Sequence, residues 1–83
     1  MNTVPIITSN GTGRDVLKAE RMAAIRALHE AAEVVARITV NGRDYIGEPE
    51  RLGAAIAARD GILRTLREEQ SRLTQEIIDL RRA

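Results

Sequence analysis

Cysteine, tryptophan and phenylalanine are absent from this chain, and histidine, tyrosine and lysine occur once each, as His29, Tyr45 and Lys18. Without cysteine there is no disulfide, no thiolate nucleophile and no thiolate metal site. With Tyr45 as the sole ring, there is no aromatic platform on which single-stranded nucleic acid could stack. Charge of one sign is also lacking: 13 basic residues face 12 acidic ones, so no global field draws the chain onto nucleic acid or membrane. No apolar run approaches the roughly 18 residues of a membrane span. The N-terminus has neither the basic region nor the continuous apolar stretch of a signal peptide, so the chain is expected to stay in the cytoplasm where it is made. Its 83 residues make one small domain, short for enclosing a substrate pocket, and the chain is expected not to be an enzyme. The excess of arginine over lysine, with abundant alanine, reads as the base bias of a GC-rich bacterial or phage genome.

Residues that could carry chemistry fail one at a time. His29 has no cysteine or serine at a useful spacing and reads as a solvated side chain. Glu30 with Glu33, and Glu68 with Glu69, sit among arginines and read as solvated helix faces. Gly11-Thr12-Gly13-Arg14 lacks the spacing of a phosphate loop. Arg59, Arg64, Arg67 and Arg72 are scattered around their helix, with Glu68, Glu69 and Glu76 among them. They read as partner contacts or as pairs such as Arg64 with Glu68 and Arg72 with Glu76. No catalytic residue, cofactor or metal is expected.

What is present is helical periodicity on both sides of one stretch that breaks it. Residues 1–13, with Pro5 and two glycines, read as an extended arm carrying Val4, Ile6 and Ile7. Thr12 and Asp15 resemble a capping box opening a helix to about Ala36, whose apolar stripe is Leu17, Ala24, Leu28, Ala31 and Val35. The segment Ile38–Gly47, ITVNGRDYIG, contains Asn41-Gly42, the strongest short signal for a type I′ hairpin. Glu48, Pro49 and Glu50 then mark a second helix start. Its seam runs through Leu52, Ile56, Arg59, Leu63, Leu66, Gln70, Leu73, Ile77 and Leu80 and keeps its phase across Gly61, which favours one long helix. A close approach to the first helix would be a use for that glycine. The expected fold is therefore α+β and mostly helical: an arm over 1–13, then a single 14–83 domain of helix, two-stranded β-hairpin and long helix. Leu28 and Ile56 are expected in its core.

At about 1.5 Å per residue the helices measure roughly 33 and 50 Å. Folded back on the hairpin, the second helix should outrun the first at its C-terminal end. Leu73, Ile77 and Leu80, with Arg81 and Arg82, are then partner-binding candidates, together with Val4, Ile6 and Ile7 of the arm.

Element order, the Ala27–Glu30 segment ALHE and the hairpin segment NGRDYIG leading into an amphipathic helix together resemble the gpW family of phage head-tail joining proteins, over about residues 14–70. The resemblance implies a structural adaptor of the phage neck. It would form a ring, typically of twelve copies, between the portal protein of the DNA-filled head and the next neck or tail-connector protein. It also implies a place in the virion after synthesis in the host bacterial cytoplasm, with room for non-specific contact with packaged DNA. Two other readings come from the residues: a cytoplasmic coiled-coil or antitoxin-like interaction module, and a small DNA-binding regulator.

Overall fold

Residues 13–82 are described by a computed structural model, and in it two antiparallel helices make up nearly all of the chain. Helix α1 spans Arg14–Ala36 and helix α2 spans Pro49–Arg82. Between them lies one turn of 3₁₀ helix, Gly42–Tyr45. The molecule measures 63 × 21 × 16 Å. Its two short dimensions hold about two helix diameters and leave no room for a third layer.

The start of α1 is plain. Its N-cap is Gly13, which offers no side-chain acceptor, while Asp15 in the first turn meets the positive end of the helix dipole. Thr12, the expected cap, lies outside the described residues, as does the arm. Helix α2 begins more firmly: the Glu48 carbonyl accepts from the N–H groups of Arg51 and Leu52, and Pro49 takes the first helical position, where a missing N–H costs nothing. The helix passes Gly61 without a break, and the Thr65 hydroxyl donates to the Gly61 carbonyl at 3.1 Å.

The expected β-hairpin does not form, and there is no strand among the described residues. The fold is all-helical, not α+β. A type I′ turn needs positive φ at both Asn41 and Gly42. Asn41 instead has φ −116° and ψ 131°, and the only positive φ among the described residues belongs to Gly47. Asn41 uses its side chain to start a helical turn: Oδ1 accepts from the Arg43 N–H at 2.9 Å, and its carbonyl accepts from the Asp44 N–H at 3.0 Å. This local hydrogen bonding competes with a ladder, and a two-stranded hairpin with no further strand has little to set against it. The chain then reverses through a type II turn over residues 45–48. Ile46 has φ −57° and ψ 126°, Gly47 has φ 77°, and the Glu48 N–H donates to the Tyr45 carbonyl at 2.9 Å. That turn requires positive φ at its third residue, so the conformationally demanding glycine of this loop is Gly47.

Two polar contacts fix how the helices align. Arg21 Nε donates to Glu76 Oε1 at 3.1 Å, and Gln70 Nε2 donates to the Ile25 carbonyl at 3.4 Å. One turn from Arg21 toward the start of α1 is Leu17, and one turn on from Glu76 is Leu80, so these two leucines lie level. In the other direction, eleven residues on from Ile25 is Ala36, the last of α1, and eleven back from Gln70 is Arg59. Residues 49–58 of α2, about 15 Å of helix, therefore extend past the end of α1.

Candidate interaction surface

The uncovered end of α2 lies opposite to where the helix lengths had placed it. At the C-terminal end Glu76, Ile77 and Leu80 are the buried residues of the described chain, at 2%, 6% and 1% exposure, and Leu73 is half-buried. The exposure that had motivated the choice of Leu73, Ile77 and Leu80 as partner contacts is therefore absent from Ile77 and Leu80 and reduced at Leu73. Arg81 and Arg82 are exposed in the last turn of α2, where their charge suits the negative end of the dipole. Val4, Ile6 and Ile7 lie outside the described residues.

The reason for the reversed overhang lies in the seam. Toward the C-terminus it carries Leu63, Leu66, Leu73, Ile77 and Leu80, whereas toward the N-terminus large residues are fewer and alanine fills the gaps between Leu52 and Arg59. Pairing the leucines of α1 with the larger residues removes more apolar area from water, at roughly 25 cal/mol per Å². The 12 residues between the helices are ample to run back along about 15 Å of the overhang. They lie against it: the space for a Cβ on Gly42 is 3.9 Å from Leu52 Cδ2, and Val40, Asn41 and Tyr45 are partly buried.

Five of the seven exposed large apolar side chains of the described residues gather around this loop end, the other two being Val16 and Met22 near the start of α1. Val34 and Ile38 close α1 and open the loop, and Ile62 lies level with them on α2. Beyond them, Ile56 is 37% exposed and Ile46, at the tip of the type II turn, 83% exposed. Ile56, expected in the core opposite Leu28, is instead on the overhang. Leu28 is half-buried in the helix pair. Ile38, Ile46 and Ile62 escape a sequence reading because nothing in their spacing tells which end of α2 is left uncovered.

Electrostatically the pair is ordinary except at one place. Glu76 is almost fully buried and Arg21 is its cross-helix partner, where an intrahelical pair with Arg72 had been one expectation. Arg72 pairs with Glu69 at 2.6 Å instead, and Arg64 and Glu68 make no ion pair. His29 Nε2 lies 2.9 Å from Glu33 Oε1, and both side chains are exposed. The hollows along the rod are open grooves, for example that lined by Ala58, Ile62, Thr65 and Leu66. Among the described residues, no three His, Asp or Glu side chains cluster as metal ligands would, and no helix is long and apolar enough to cross a membrane.

Comparison with protein-family models, with curated proteins and with solved structures finds no match to this chain. The geometry of the loop end is thus the principal guide to function.

Proposed function

We propose that this chain is a non-catalytic protein-interaction module of coiled-coil type, which docks through the uncovered loop end of its helix pair. One observation carries the reading: about 15 Å of amphipathic helix extends beyond its intramolecular partner and, with the loop, leaves Ile38, Ile46, Ile56 and Ile62 open to solvent. The few fully buried side chains among the described residues support it, since a fold with so small a core gains much from covering such a surface. Adaptor work in a phage neck, between portal and tail connector, is the narrower form of the proposal. It keeps the support of two helices flanking a short connection and of the ALHE segment, and it has lost the hairpin that the resemblance relied on.

The test is reconstitution. The purified chain is mixed with the products of neighbouring reading frames and co-elution is followed, with Ile56→Asp/Ile62→Asp as the variant. Association that disappears in a variant of unchanged helicity is the expected result. For the neck reading, the partner is a portal ring, and phage carrying the variant should yield filled heads that do not join tails. Association indifferent to both substitutions would overturn the assigned surface, and normal infectious particles from the variant would overturn the neck role.

A further inference from the structure

Near the end of α2 a run of consecutive residues, 76–80, is covered without interruption. Glu76, Ile77 and Leu80 are buried, and Ile78 and Asp79 are half-buried. The run is longer than one helical turn, so its side chains point in every direction around the axis. A single partner helix cannot cover all of them, because each member of a helix pair turns one stripe to the other. Along residues 64–75 that one-sided pattern holds: no more than two consecutive residues are covered. Thr74 and Gln75 stand one turn before Ile78 and Asp79, on the same two faces, and both are exposed. Those faces lie away from α1, and their cover begins only beyond Gln75.

The described residues offer nothing to provide it. The loop between the helices lies against the opposite end of α2, beside Leu52. Helix α1 itself keeps an open side at this level, with Val16 54% exposed, so the additional cover lies over α2.

We propose that the C-terminal end of α2 is the receiving site for the first twelve residues of this same chain, with Val4, Ile6 and Ile7 laid over Ile78 on the side turned away from α1. Direction and length both suit this occupant. Leu17 is level with Leu80, so Gly13 stands about 6 Å beyond Leu80, at the end of the rod where cover is needed. Gly13 has φ −63° and ψ 151°, and its extended backbone leads the chain out of the helix there. The six residues from Gly13 back to Ile7 can span up to about 20 Å, ample for a return to 76–80. Val4, Ile6 and Ile7 also bring the apolar surface such a site would take out of water. The arm and the end of α2, each a candidate for contact with a partner, become partners of each other, and the loop end remains the docking surface.

The absence of cysteine makes the test direct, because Ser9→Cys gives one site for a nitroxide spin label beside the apolar triplet. In the labelled, isotope-enriched chain the amide resonances of 76–80 should be broadened and those of 49–58 should stay sharp. Enriched chain without the label, mixed with labelled chain that is not enriched, should show sharp resonances throughout. Sharp resonances at 76–80 in the labelled chain overturn the proposal. Broadening there in the mixed sample overturns it too, since the arm would then come from a second copy. Ile6→Asp/Ile7→Asp should speed amide exchange at 76–80 by about tenfold or more, because uncovering apolar surface lowers local stability. Unchanged exchange at 76–80 in that variant would overturn the assignment of the apolar triplet to this site.

Discussion

Gly47, not Gly42, should be the glycine whose replacement hurts. At φ 77° in a type II turn, Gly47→Ala should cost about 1 kcal/mol, because an L side chain crowds the following carbonyl there. Gly42→Ala should be nearly neutral, since its Cβ would make ordinary contact with Leu52 at 3.9 Å. Urea unfolding of the two variants checks both, and equal losses would contradict the assigned turn. Asn41-Gly42 misleads as a sequence signal because tolerance of positive φ permits a hairpin without compelling one. What decided was the Asn41 carboxamide oxygen, which found the Arg43 N–H. The Arg21–Glu76 bridge was not legible either, because Glu76 has arginines near it in sequence and the one that matters is 55 positions away. Replacing Arg21 by Met should cost about 2 kcal/mol or more, since a carboxylate at 2% exposure then loses a charged partner. An unchanged denaturation midpoint would show that the bridge is incidental.

At the scale of elements, much was legible. The stripe from Leu17 to Val35 and the phase maintained across Gly61 locate both helices, because a 3.6-residue period can be read without knowing the partner. How two helices slide past each other cannot be read the same way. A long seam offers several registers, and the choice depends on which pairing buries more, which a length argument ignores. The large residues near the C-terminus of α2 were the available signal. Leu80→Ala should accordingly cost about 2–5 kcal/mol, and Ile56→Ala well under half of that in the dilute chain, because one side chain is buried and the other is on the overhang. Truncation after Gln70 should abolish cooperative unfolding, since it removes Glu76, Ile77 and Leu80 together. A core that survives that truncation would mean these side chains are dispensable to the fold.

At the scale of the whole molecule the described residues form a rod with its buried side chains at one end and an exposed apolar cluster at the other, and the exposed end is the proposed docking surface. The buried side chains Glu76, Ile77 and Leu80 lie together at one end, and local stability should follow burial. Residue-resolved hydrogen exchange on dilute protein tests this most directly. The account predicts the slowest amides in residues 21–28 and 70–80, and the fastest helical amides in residues 49–58. Strong protection of 49–58 in the dilute chain, with early exchange beyond Gln70, would place the overhang at the other end and contradict it.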